Sequence, residues 1–353
     1  MAYIQIGKHR IEREANNVLI VVEVGSNYDC DMDKARKMID IIAESGADAV
    51  KFQTFKAEKL VTKKTPKCAY QKASQNDESS YYSMLVKLEM TEDEHKELKR
   101  YTEKKGLIFL STPHSQEWSV DFLEKLGVCA YKIGSGDMNN LPFLGYISGK
   151  KKPMIVATGM STLEEVKETY AFLKQRKAEF ALLHATSSYP CRFEDANLKA
   201  VQTLLKEFPD IVIGFSDHTP GIESSLAAVG AGARIIEKHF TLDRNSNGPS
   251  PDHKASIEPD ELKELVMKIK NIEKALGSGV KKPAAIELDV AKVARKSVIA
   301  SKDIKRGEIF SKENLEIKRP GTGIPPKTYY SIIGKKAVRD IEKEELIKDG
   351  DFR

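Results

Sequence analysis

The chain has 353 residues, 41% hydrophobic and 31% charged, with a formal net charge of +5. That length and composition supply a large core and allow one big domain plus a small one. The modest, interspersed charge excludes a nucleic-acid-style basic stripe, and no apolar run approaches the ~18 residues that span a bilayer. Cys30, Cys68, Cys129 and Cys191 show no C-x-x-C spacing, as expected of free thiols in a reducing compartment. The opening MAYIQIGKHRIERE has no apolar signal-peptide core. The expectation is a soluble, cytoplasmic protein.

From residue 18 onward one pattern repeats. A short apolar, β-branched run ends in Gly, Ser, Thr or a charged residue, and an amphipathic stretch of helical period follows. The runs are VLIVVEVG (18–25), AVKFQTF (49–55), LIFLSTP (107–113), AYKIGSG (130–136), PMIVATGM (153–160), FALLHATS (180–187), IVIGFSDH (211–218) and RIIEKHFTL (234–242). Helical segments such as DKARKMIDIIAESG and STLEEVKETYAFLKQR lie between them, several opening on Ser, Thr or Asp and closing near Gly. Eight such units predict an α/β fold, a (β/α)8 TIM barrel over residues 1–276. A doubly wound sheet is the alternative, but no G-x-G-x-x-G follows the first run. The long connections 56–90 and 243–257 follow strand ends, where barrel function sits, and the first has the length to fold over the mouth. Residues 277–294 read as a linker. Residues 295–353 read as a small β-rich module of short strands and Gly turns.

In a barrel the strand ends converge on one cup. They bring Glu23, Lys51, Gln53, Thr112, Lys132, Ser135, Ser216, His218, Glu237 and His239 together, with Tyr189 just beyond. Alternation puts Lys51 with Gln53, Ser216 with His218, and Glu237 with His239 on one face each. Lys51 and Lys132 beside Ser and Thr suit a phosphate or carboxylate, although a buried lysine also pairs with Glu23 or Glu237 for purely structural reasons. His218 and His239, at matching depth on neighbouring strands, suit a divalent metal, although hydrogen-bonded core histidines are the plainer alternative. Glu23 serves as a base, binds a substrate hydroxyl, or simply pairs with Lys51. Two rival functions remain open. One is an aldolase with a Schiff base on Lys132; the other is a non-catalytic sugar- or ice-binding protein using the C-terminal module.

These residues sit in phrases that resemble the successive signatures of the sialic acid synthase family: VVEVGSN, VKFQTF, STPHS, YKIGSGD, LLHATSSYP, GFSDHT, IIEKHFTLDR and GPSPDHKASIEPDEL. The end of the chain, RKSVIASKDIKRGEIFSKENLEIKRPGTGI, resembles the antifreeze-like (SAF) domain fused to those synthases. The resemblance implies a TIM barrel plus SAF domain in a domain-swapped homodimer, with no nucleic-acid or membrane partner. It implies condensation of phosphoenolpyruvate (PEP) with an N-acylated hexose, either N-acetylmannosamine or a 2,4-diacetamido-trideoxyhexose, to give a nonulosonic acid such as N-acetylneuraminate, legionaminate or pseudaminate. Lys51, Thr112, Lys132, Ser135 and Ser216 match PEP-holding positions. Gln53, Tyr189 and Asp252 match positions around the sugar, and Arg319 matches an arginine reaching in from the partner subunit. His218 and His239 match metal ligands for Mn²⁺, with Mg²⁺ or Co²⁺ as alternatives, and Glu23 matches a carboxylate near the reacting carbons. Ala157, Ser187 and Asp137 depart from the residues some members carry, and the loop before Asp252 is a residue or two longer.

Overall fold

The computed structural model describes residues 2–68, 71 and 80–353. It divides into two compact units, Met1–Gly277 and Ser278–Arg353. Residues 69, 70 and 72–79 of the long connection noted above lie outside the described residues.

The first unit opens with an antiparallel hairpin of β1 (Tyr3–Ile6) and β2 (His9–Glu12). Eight parallel strands follow: β3 (Leu19–Glu23), β4 (Ala49–Thr54), β5 (Ile108–Pro113), β6 (Tyr131–Ile133), β7 (Met154–Ala157), β8 (Phe180–Ala185), β9 (Val212–Asp217) and β10 (Ile235–His239). They are the eight runs read from the sequence. Their order is β5-β4-β3-β10-β9-β8-β7-β6, and β5 lies against β6, which closes the ring into a barrel.

Alternation along each strand sorts the side chains. Ile20, Val22, Val50, Phe52, Ile213 and Ile236 face outward into the large core shared with the surrounding helices. Leu19, Val21, Ala49, Leu110, Leu183 and Ile235 face inward and fill the barrel. The hairpin, which the sequence reading did not identify as structure, adds Ile4, Ile6 and Ile11 to that inner cluster. It therefore stoppers the N-terminal end of the barrel. Gly214 is required where the ring is tightest: a Cβ there would lie 2.4 Å from the Ile235 carbonyl oxygen.

The helices are well delimited. Thr91 and Thr162 each form a reciprocal capping box, with Glu94 and Glu165, at the start of Glu92–Lys104 and Leu163–Gln175. Gly46 and Gly127 end Met32–Ser45 and Gln116–Leu126 in the left-handed conformation.

The second unit is built around an antiparallel pair, β11 (Ser297–Ala300) and β12 (Leu315–Lys318), over a core that includes Val298, Ile304, Phe310 and Ile341. Within the stretch read as a linker, Glu287–Ala294 is a helix with none of its residues buried. Ile286, Val290 and Val293, spaced for one helical face, are all exposed. No helix among the described residues is long and apolar enough to cross a membrane.

Candidate active site

At the C-terminal ends of several strands the inward-facing residues change from apolar to polar. On β3 the inward series is Leu19, Val21, Glu23; on β10 it is Ile235, Glu237, His239. A cleft of about 330 Å³ opens there, and every site residue singled out above lines it except Arg319. Arg319 belongs to the second unit, where its Nε donates to the Ala294 carbonyl.

The floor is an ionic network shielded from solvent. Lys51 Nζ lies 2.7 Å from Glu23 Oε2 and 3.7 Å from Glu237 Oε1, and it donates to Thr112 Oγ1 at 3.2 Å. Lys132 Nζ lies 3.5 Å from the same Glu237 oxygen, and Ser216 Oγ donates to it at 3.0 Å. Gln53 Nε2 donates to Glu23 Oε1 at 3.0 Å. Burial works against the Lys51 ammonium, but Glu23 and Glu237 outweigh it and hold its pKa above the ordinary lysine value. Burial dominates at Lys132 and pulls it below that value. Burial pushes the Glu23 carboxyl up. Asp252 is pushed up to about 7 by burial and by the neighbouring Glu23 charge.

The two strand-end histidines meet at one side, with ring centroids 5.4 Å apart. Tyr189 packs against both, at 4.2 Å from His218 and 5.5 Å from His239. His218 Nδ1 donates to the Thr186 carbonyl at 2.7 Å, which leaves its Nε2 lone pair available. Burial lowers the His218 pKa to about 4, and burial together with His218 and the lysines holds that of His239 well below the ordinary value. Both imidazoles are thus neutral, the form that ligates metals. His239 Nδ1 is buried without a hydrogen-bond partner, 3.9 Å from Asp252 Oδ2. An orphaned buried imidazole nitrogen beside a second neutral imidazole fits a divalent ion. Among the described residues no group of three or more His, Cys, Asp or Glu is arranged to hold a metal ion.

Several contributors escaped the sequence reading. Glu237, expected as a lysine partner, is the acceptor shared by Lys51, Lys132 and Ser216. The connection after β4 supplies an apolar wall of Phe55, Met84, Leu85 and Leu88. The helix Tyr81–Lys87, opened by Ser80, carries two of these, and its short SYYSMLVK pattern was the available signal. His114 also lines the cleft, 3.9 Å from Asp137. Of the departures, Ala157 and Ser187 line the cleft, whereas Asp137 accepts from Asn140 beside it.

A parallel eight-stranded barrel with a polar cleft at the C-terminal strand ends, followed by a small β unit, defines the class of molecule. The sequence matches the NeuB family over residues 38–281 and the SAF domain over 295–353, and the chain belongs to the NeuB family. It is 47% identical to the N,N'-diacetyllegionaminic acid synthase of Campylobacter jejuni subsp. jejuni serotype O:2, over 94% of this chain and 99% of that protein. It is 44% identical to the N,N'-diacetyllegionaminic acid synthase of Legionella pneumophila, over 90% and 89%. Among solved structures it is similar to the N-acetylneuraminic acid synthetase of Leptospira borgpetersenii in complex with citrate, with a TM-score of 0.73, 34% identity, and coverage of 82% and 94%.

Proposed function

We propose that this protein is a transferase that condenses PEP with an N-acylated hexose, releasing phosphate and a nine-carbon 2-keto-3-deoxy acid. The observation that carries the reading is the gathering of Lys51, Lys132, Glu23 and the paired His218 and His239 in one cleft of a NeuB-family barrel.

C3 of PEP forms the new carbon–carbon bond with the sugar aldehyde carbon. Water adds at C2, and the C2–O bond to phosphate then breaks. Lys51 and Lys132 hold the anionic groups, with Thr112, Ser135 and Ser216 as hydroxyl partners. Gln53 fixes the Glu23 carboxylate, which orients the water or takes its proton. A divalent ion, Mn²⁺ before Mg²⁺ or Co²⁺, is assigned to His218 and His239, where it supplies Lewis-acid polarisation of an oxygen when bound. Tyr189 and Asp252 border the sugar, and holding the two substrates face to face carries much of the rate.

The names of the two synthases reported above favour a 2,4-diacetamido-trideoxyhexose over N-acetylmannosamine. The wall of Phe55, Met84, Leu85 and Leu88 supports this choice, because a deoxy methyl end is better accommodated there than a hydroxymethyl. The reading extends to a cytoplasmic, domain-swapped homodimer in which Arg319 completes the partner's cleft. The exposed apolar face of Glu287–Ala294 is consistent with burial by a second copy.

The test is phosphate release from PEP by chelator-stripped protein, with Mn²⁺ restored and both sugars offered in parallel. Metal- and sugar-dependent release is expected, faster with the diacetamido sugar. A lowered Lys132 pKa also suits a Schiff-base aldolase. Borohydride trapping of pyruvate on Lys132, without phosphate release from PEP, would establish that reading instead.

A further inference from the structure

The loop carrying Asp252 is anchored to the loop after β3 by a chain of buried hydrogen bonds. Asn27, fully buried, donates from Nδ2 to the Phe240 carbonyl at 2.9 Å and to Ser256 Oγ at 2.8 Å. Its Oδ1 accepts from Ser250 Oγ at 2.7 Å. Those two serines hold the backbone of Asp252 on both sides. The Asp252 N–H donates to Ser250 Oγ at 3.4 Å, and Ser256 Oγ donates to the Asp252 carbonyl at 2.7 Å. A second anchor runs parallel: Asp29 Oδ1 accepts from His253 Nε2 at 3.0 Å and from the Ser250 N–H at 3.3 Å. Gly248 fits against the Asp29 carboxylate, where a Cβ would stand 2.2 Å from Cγ.

We infer that Asn27 and Asp29 are positioning residues for substrate recognition: through Ser250, Ser256 and His253 they fix where the Asp252 carboxylate meets the sugar. This rests on the reading of Asp252 as a sugar-contacting residue. Neither Asn27 nor Asp29 lines the cleft, so their influence on the sugar passes through the anchored loop. A buried amide that satisfies both serine hydroxyls sets their orientation, and a carboxylate misplaced by an ångström loses much of its hydrogen-bond strength.

The experiment compares Asp29→Asn, Asn27→Ala, Ser250→Ala, Ser256→Ala and Gly248→Ala with wild type, using the diacetamido hexose and N-acetylmannosamine as sugars. Steady-state KM for sugar, KM for PEP, Mn²⁺ affinity and Tm are measured for each, and Asp252→Asn is the benchmark. The expected result is a sugar KM raised about tenfold, with PEP KM and Mn²⁺ affinity within about twofold of wild type. Ser250→Thr should recover part of the loss by restoring the hydroxyl. An unchanged sugar KM in folded variants, while Asp252→Asn raises it, overturns the positioning role alone. A silent Asp252→Asn shows that the assignment of Asp252 has failed, and the positioning role with it. A parallel rise of both KM values with a collapsed Tm also overturns the inference, since it marks a general folding role.

Discussion

Lys51 and Glu23 form an ion pair 2.7 Å long, with side chains only 5% and 1% exposed. A pair so buried is costly to split, because removing one partner strands the other charge in a low-dielectric site. Lys51→Met should therefore lose about 3–5 kcal/mol of stability in chemical denaturation as well as raising the KM for PEP. The double variant Lys51→Met/Glu23→Gln should lose much less stability than the two single losses added together. Strict additivity would show that the pair is not coupled in solution.

His218 and His239 meet in the cleft, and burial lowers the pKa of both. His218→Ala or His239→Ala should abolish tight Mn²⁺ binding, read by titration of the free-ion electron paramagnetic resonance signal. Sugar-dependent phosphate release should fall by at least about a hundredfold. Unaltered Mn²⁺ affinity in both variants would remove the metal assignment.

The raised carboxyl of Asp252 makes stability depend on pH in a defined direction. The unfolded chain releases this proton near 3.8 and the folded protein near about 7. Between those values the folded state binds more protons, so stability falls as pH rises, and the whole penalty is present above about 7. Asp252→Asn removes that slope. Denaturation midpoints from pH 5 to pH 8 should show wild type losing ground to the variant as pH increases, and parallel curves would contradict the shift.

His95 works in the opposite sense. It is buried against Thr54, which is 2.8 Å from its Nε2, and burial depresses its pKa below 6.5. The unfolded state takes up the proton first, so this residue's contribution is lost as pH falls below 6.5 toward the folded value. His95→Gln should flatten that acid limb of the stability profile.

If Arg319 completes the partner's cleft, Arg319→Ala and His218→Ala subunits complement each other. Each should be nearly inactive alone. Random co-refolding gives about half heterodimers with one intact cleft each, hence about a quarter of wild-type activity. Activity no greater than the sum of the parents would exclude the swapped arrangement.

The barrel was legible because most of the eight runs pass from apolar to polar toward their C-terminal ends. Ile235-Ile236 cannot face water, and Glu237 and His239 share the inward side with Ile235 by simple alternation. The first hairpin was missed because YIQI and HRIE are only four residues each, and their buried isoleucines find partners far along the chain. The apolar wall was hidden for a related reason. Met84 and Leu85 lie on a short helix within a polar connection, and only tertiary packing shows that they face Phe55. The Glu237 hub was legible as a lysine partner, but the meeting of two lysines and a serine on one carboxylate depends on strand register. The helix in the expected linker, Glu287–Ala294, has a weak signal because it is short and, among the described residues, nothing buries its apolar face.

The stoppered end of the barrel makes the cleft a blind well. Among the described residues, Ile4, Ile6 and Ile11 pack with Leu19, Ala49, Ile108 and Ile235, so apolar side chains fill the barrel axis below the floor. Whatever enters at the strand ends must leave by the same side, so a molecule seated against Lys51 and Lys132 is detained by anything above it. Traffic through such a well is last in, first out.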